Sequence, residues 1–576
     1  MFDRRFLALI LSGLLPIVGC AANDGASESG VDSDPSTLKI LSWQAPTILN
    51  PHLTVGFKDW EASRITLEPL ATFNKDGELV PVLAAEIPSQ ENRGVAADGL
   101  SVTWNLKPDL LWSDGEPFTA EDVAFTYALI ANAETGTTNA GAYETVDRVE
   151  AIDDTTVKVT FKAPTPAWSL PFVGAVGSVL PEHVFADYNG ANLREAAANL
   201  MPIGTGPYRV VDFKPGDVVV YEPNPHYREA ESLNFDRVEI KGGGDATSAA
   251  RAVLQTGDAD LADNLQVEPQ VLAQLEEGGK GTVLASFGPL LERLEFNYTD
   301  PDAANADGIV STLEFPHPFL TEAPVREAIS LAVDRETIAT QLYGKAGEAS
   351  GHFLLEPAQY KSPDAEFAFD PEQAIAVLEE AGWTDTNGNG TRDKGGVELK
   401  LVFQTSVTPV RQKTQEIIKQ TLEAIGIGVE LRSIDASVLF SGDASNTDTL
   451  QRFTADVQMY TTGNSNPDPA DYMKTYTCGE LSQPETSWSG QNFSRFCDPA
   501  YDALWDAAST ELDPEKRAAL FVQMNDLLVS QFAVVPLVHR ADAIGVSNGL
   551  AGLDPTPWDR MTWNIAEWRK TDGAAE

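Results

Sequence analysis

From residue 38 onward, this chain of 576 residues alternates strand-like and helix-like stretches with no Pro- or Gly-rich linker. It also shows no internal repeat of the 20–50-residue kind that marks solenoids and propellers. Independent domains are joined by exposed connectors that few contacts cross. A linker-free run this long, set against roughly 150 residues per compact unit, predicts interleaved lobes with the chain crossing between them more than once. The mixture of strands and helices argues for an α/β fold with several sheets rather than one doubly wound domain.

Local punctuation places the elements. A first strand is expected over 38–43, and a hairpin over 71–80 with Asp76-Gly77 at its turn. A further strand falls over 100–106 and a second hairpin over 149–162. Thr119 and Asp122 form a capping box for a helix over 120–132. Gly204 and Gly206 permit a tight turn before a strand starting at Tyr208. Further helices are expected over 323–333, over 371–381 with Pro at its first turn and Gly382 just past its end, over 411–425, and over 514–530. An apolar strand follows over 533–539. Arg326 and Asp334 are expected on one helix as an ion pair.

Hydrophobic residues make up 43% and charged residues 22% of the chain, a globular balance that excludes a mostly disordered chain. Acids outnumber bases 86 to 40, for a net charge of −46. Such a surface repels phosphate backbones, and no Lys/Arg run offsets it, so nucleic acid is not an expected partner.

The N-terminus reads as an export signal. Arg4 and Arg5 precede an apolar run over 6–18, too short for a bilayer-spanning helix of about 20 residues. Ile17-Val18-Gly19-Cys20 resembles a bacterial lipoprotein box. We therefore expect a signal peptide over 1–19, lipidation at Cys20, and a Ser/Gly/Asp-rich flexible tether over 20–37. No later stretch is apolar for 18 residues, so the lipid is the only expected membrane contact. Two cysteines remain, Cys478 and Cys497, close in sequence and outside the cytosol, and they read as one disulfide. A metal site is the rival, but no flanking His or Cys completes four ligands.

Signals for catalysis are close to absent. The six histidines form no HExxH pair, there is no GxSxG elbow, and no glycine cluster has phosphate-loop spacing. A triad assembled from distant residues leaves an exported hydrolase as the rival reading. At 385–393, Asp385, Asn387, Asn389 and Asp393 stand at positions 1, 3, 5 and 9 of an EF-hand-like loop with Gly390 at position 6. Position 12 is Gly396 rather than Glu. Calcium is thus a candidate ion against a Gly/Asn-rich hairpin turn, and no cofactor is otherwise required.

Seven motifs stand in one order: LWSDGEPFTAEDV at 111–123, GTGPY at 204–208, NPHY at 224–227, QTGDAD at 255–260, VREAISLAVDR at 325–335, DPEQA through LEEAGW at 370–383, and NFSRFCDPAYDAL at 492–504. In this order the chain resembles the peptide/nickel-type (family 5) extracellular solute-binding proteins of bacterial ABC importers. The resemblance implies a two-lobed, periplasmic-binding-protein-like fold of type II with an extra subdomain, hinged by two crossing strands. Lobe I would span 38–290 with a small subdomain near 77–207, lobe II 291–540, and 541–576 would return to lobe I. The outward crossing would be 291–298 and the return 533–540. It further implies a monomeric receptor, periplasmic or at the cell surface, that delivers a peptide-like solute to permease subunits.

In peptide-binding relatives an Asp of lobe II pairs with the terminal ammonium, since a buried cation needs a buried anion. Aligned on Asp468-Pro469, Ser465 stands at that position, or Asn464 with a one-residue slip, so the anchor is replaced. Asp468 is the nearest carboxylate. An oligosaccharide or another non-peptide solute is therefore an alternative. Trp43, Asn50, Asn297, Gln404, Asn466 and Trp488 complete the expected contacts, because aromatics and amides suit a wet, tolerant pocket.

Overall fold

The computed structural model describes residues 36–571 apart from 43, 55, 243, 364 and 442–444. The expected signal peptide, the lipidated Cys20, nearly all of the tether, and Trp43 lie outside the described residues.

One sheet of eleven strands organises the molecule. In spatial order it runs Gly428–Ile434, Lys400–Ser406, Val457–Thr462, Gly281–Phe296, Val534–Ser547, Leu261–Ala262, Thr37–Ser42, Arg237–Gly242, Val218–Pro223 and Tyr208–Lys214, with Gly347–Ala349 paired to Val534–Ser547. Four smaller sheets accompany it, including the three strands Ser101–Asn105, Thr156–Phe161 and Val146–Asp153. The capping box forms as expected: Asp122 accepts from the Thr119 amide at 2.9 Å, and the helix runs Ala120–Ala131.

The two longest strands differ from their expected bounds. Gly281–Phe296 starts ten residues before Leu291, and Val534–Ser547 continues eight residues beyond His539. Gly288-Pro289 and His539-Arg540 look like strand ends, because Pro cannot donate to a ladder and charge is rare inside an apolar strand. In the fold they lie where the ladder slips register, between Phe287 and Leu291. Residues 281–287 pair with 541–547 before the slip, and 291–295 pair with 534–539 after it.

Two further expectations need correction. Arg326 and Asp334 form no ion pair, because the helix ends at Leu331. Asp334 instead caps the next helix through the Thr337 amide, and Arg326 donates to the carbonyls of Leu320 and Gln531. Gly204 is required by close approach rather than by a turn: a Cβ there would stand 1.9 Å from the Thr66 carbonyl oxygen.

Apolar side chains gather into separate cores on either side of the register slip. One joins 53–198 to Trp558, one joins 38–65 and 208–240 to 544–568, and one covers 249–283 with Ala543. After the slip, one core draws on 294–459 and 535–538, and another on 353–360 and 470–534 with Leu291 and Ala167. Separate cores joined by two continuous strands can move against each other at little cost in packing.

Candidate functional site

The strand crossing fixes the loop expected to meet the solute. Strand Val457–Thr462 lies beside Gly281–Phe296, with Leu291 opposite Thr462. The chain leaves that strand through Gly463, where a Cβ would stand 2.0 Å from the Pro289 carbonyl oxygen. Only glycine lets loop 463–468 press against the crossing this closely. Asn464 follows, 2% exposed, donating to the carbonyls of Glu356 (2.8 Å) and Asn466 (2.9 Å). Its side-chain oxygen is buried with no hydrogen-bond partner. A buried acceptor without a donor costs free energy, and other buried polar atoms among the described residues share that state, such as the Asn139 oxygen and the Trp104 indole nitrogen. At the register slip, His539 shares a hydrogen bond with the Gly288 carbonyl and meets the Phe287 ring edge-on.

The other expected contacts are spread more widely. Asp468 accepts from the Ala470 amide at 3.0 Å and pairs with the buried Arg517 guanidinium. Ser465 is exposed and Asn466 is buried, accepting from the Asp468 amide. Gln404 donates to Gln458 at 3.1 Å and accepts from Arg432. Asn297 donates to the carbonyls of Phe453 and Ala455 and accepts from Thr299 and Arg495, and Arg495 also lies over the Trp488 ring with Arg452. Asn50 donates to Asn199 and accepts from the His52 amide. The fold thus gathers 464–468 at the crossing, joins Asn297 to Trp488 through Arg495, and sets Asn50 in the 53–198 body.

Cys478 and Cys497 are bonded, with Cα atoms 4.8 Å apart. In the 385–393 loop, the Asp385 carboxylate accepts from the amides of Gly388, Asn389 and Gly390, while Asp393 accepts from Thr386. Asn387 and Asn389 donate to Glu398. These bonds are those of a turn that satisfies its own backbone. A cation would have to displace several of them. Among the described residues, no group of three or more His, Cys, Asp or Glu stands together to hold a metal.

Charged residues at the crossing escaped the sequence reading. Glu292 is 1% exposed and takes Arg411 at 3.0 Å, with Thr461 and the Tyr343 hydroxyl on its other oxygen. Burial pushes its carboxyl up, but Arg411, Thr461 and Arg540 outweigh that and hold it below its ordinary value. On the opposite side-chain parity, Arg293 bonds Glu295, Tyr460 and Tyr472. A cavity of about 170 Å³ lies beside the return strand, lined by Leu272, Val283, Tyr343, Val410, Arg540 and Ala543 among others. The only usable signal was a His-Arg-Ala-Asp stretch inside an apolar strand.

The 53–198 body also touches the segment after the crossing. Gly77 lies against Pro467, Lys474 pairs with Glu144, and Ala167 shares a core with Leu354 and Tyr472. Two bodies joined by paired crossing strands and meeting around loop 463–468 have the architecture of a bilobal binding protein of type II.

The chain belongs to the bacterial extracellular solute-binding proteins, family 5, whose middle-region model matches residues 78–482. It is similar to the dipeptide-binding protein of Pseudomonas aeruginosa, 24% identical over 91% of this chain and 93% of that protein. Two solved structures share its fold. The oligopeptide-binding protein AppA of Bacillus subtilis, in complex with a nonapeptide, has a TM-score of 0.77 at 21% identity over 93% of this chain and 99% of that one. NikZ of Campylobacter jejuni, in complex with Ni(L-His), has a TM-score of 0.77 at 24% identity over 93% and 100%. The role of the chain is that of a substrate-binding receptor, a class of protein that captures solutes rather than transforming them.

Proposed function

We propose that this protein is the lipid-anchored receptor of an ABC importer and that it encloses a peptide solute between lobes 38–290 with 541–576 and 291–540. The observation that carries this reading is the unpartnered, buried Asn464 oxygen on a loop pinned to the strand crossing. A peptide N–H is the donor such an acceptor lacks, and the named peptide-binding relatives support the class. Closure around the crossing would bury the solute and present the joined lobes to a permease. Native mass spectrometry of protein purified without denaturation tests this: retained masses should resolve into peptides. Cargo consisting only of sugars would overturn the peptide class. Intact-mass analysis should find a diacylglyceryl group on Cys20 in the exported form.

The state of Asp468 sets the expected specificity. Its carboxylate is committed to Arg517 and the Ala470 amide, so it is not free to meet a terminal ammonium. Without a carboxylate, desolvating that ammonium costs several kcal/mol. Matched free and N-acetylated peptides should therefore bind within tenfold of each other by calorimetry. Asp468→Asn should lower stability without changing the ratio. A tenfold preference for free amines, about 1.4 kcal/mol, that Asp468→Asn abolishes would make Asp468 the anchor.

A further inference from the structure

The 385–393 loop holds two of the four Asn-Gly pairs in the chain, Asn387-Gly388 and Asn389-Gly390; the others are Asn189-Gly190 and Asn548-Gly549. A glycine after asparagine leaves the next backbone nitrogen unshielded, so it can reach the side-chain carbonyl carbon and close a five-membered ring. Both loop pairs are exposed. Gly388 and Gly390 have φ of +74° and +87°, and a Cβ at either would meet nothing within 4 Å. The ring and an attacking water therefore have room at both pairs.

Hydrogen bonds arrange three further groups for that closure. The Gly388 amide donates to Asp385 Oδ1 at 2.7 Å and the Gly390 amide to Asp385 Oδ2 at 2.9 Å. Each nucleophilic nitrogen thus holds its proton within reach of one carboxylate that can serve as general base. Asn387 Oδ1 accepts from the Asn389 amide at 3.0 Å, and Asn389 Oδ1 accepts from the Thr391 amide at 2.8 Å. Such donors stabilise the charge that develops on the carbonyl oxygen during attack. Glu398 accepts from both side-chain nitrogens, at 3.3 Å from Asn387 and 2.6 Å from Asn389, and so fixes their orientation. Asn389 is the better placed of the two, because the amide that serves Asn387 is shared with Asp385. The other pairs lack this arrangement. Gly549 donates to the Ser547 hydroxyl, while Gly190 is buried and the Asn189 oxygen accepts from the Asn132 side chain.

We propose that this loop is a self-modifying site, in which Asn389, and more slowly Asn387, is converted to aspartate and isoaspartate with Asp385 as the base. The glycine nitrogen bonds to Cγ as Asp385 takes its proton. The Cγ–Nδ2 bond then breaks, and the proton passes to the departing nitrogen, which leaves as ammonia. One water opens the resulting succinimide at either carbonyl, giving aspartate or isoaspartate. No oxidant or reductant takes part. Each event sets a new carboxylate against Glu398 where an amide donor stood, so the loop gains a negative charge and loses a bond to strand Val397–Glu398.

Peptide mapping by mass spectrometry, on the full exported protein sampled over time in mildly alkaline buffer, tests this. Asn389 and Asn387 should exchange NH2 for OH at least tenfold faster than Asn189 and Asn548 in the same molecules, a barrier difference of about 1.4 kcal/mol or more. Isoaspartate should appear at the loop. Asp385→Asn keeps an oxygen for the amides but cannot take the proton, so it should slow both loop sites tenfold and leave Asn189 and Asn548 unchanged. In urea that unfolds the chain, the four pairs should convert at similar rates, because only sequence neighbours then act. This arm needs no variant to fold. Loop asparagines that convert no faster than the other two in the folded protein would overturn the proposal. So would a lead that survives in urea or in Asp385→Asn.

Discussion

Replacing Arg411 with alanine should cost about 3–5 kcal/mol of stability, because it strands the Glu292 carboxylate in a buried site without its principal cation. The side chains of the pair are 5% and 1% exposed, so water cannot replace the missing partner. Replacing both residues with methionine should recover most of the loss, since a well-packed apolar pair avoids both desolvation penalties. Urea unfolding of wild type, Arg411→Ala and the double variant measures this through the midpoint and slope. A loss below 1 kcal/mol for Arg411→Ala would show that Arg540 and Thr461 carry the carboxylate unaided.

The same pair fixes the sign of an acid response. Glu292 has a folded pKa below its ordinary value, so its contribution is fully present above the unfolded value of about 4.3 and is lost as pH falls through the folded value. In Arg411→Ala, burial dominates and the carboxyl shifts upward, so protonation relieves the variant. The gap between wild type and variant should therefore narrow below about pH 4. A gap that stays constant from pH 7 to pH 3 would remove Glu292 from the acid limb.

Opening the Cys478–Cys497 bond should cost about 3 kcal/mol, the chain-entropy value for a closed loop of about 20 residues. The bond joins the turn Cys478–Glu480 to the residue before the Asp498 cap of helix Pro499–Thr510. Between them lie Trp488, under Arg452 and Arg495, and Asn492, which ties the Thr477 and Phe496 carbonyls together. The loop also holds Arg495 against Asn297, so loosening it should reach the end of the crossing strand. Unfolding of the double Ala variant and of reduced wild type should agree. Non-reducing peptide maps that return both cysteines as free thiols would contradict the pairing.

Local chemistry made much of this architecture legible. Thr119 and Asp122, Asp370-Pro371, and Pro514 mark helix starts because a helix end must satisfy its own first amides within a few residues. The Asp76-Gly77 hairpin and the cysteine pair are equally short-range. The seven ordered motifs identified the family because most of them are turns and caps of that kind. The crossing was harder to read. Gly288-Pro289 and His539-Arg540 carry the signature of strand ends, and only the pairing of two distant strands shows that the chain runs straight through them.

The site divided along the same line. Residue identities in loop 460–472, set beside the family resemblance, gave only the expectation that Ser465 or Asn464 stands where an anchor carboxylate would. Only the tertiary structure decided that Asp468 belongs to Arg517, that the Asn464 oxygen is left without a donor, and that Arg540 lines the cavity beside the return strand. Arg517 is 49 residues from Asp468, Glu356 is 108 from Asn464, and Asn264 is 276 from Arg540. Whether a polar group is spent or free depends on what burial brings to it from such distances, and local sequence carries no record of that.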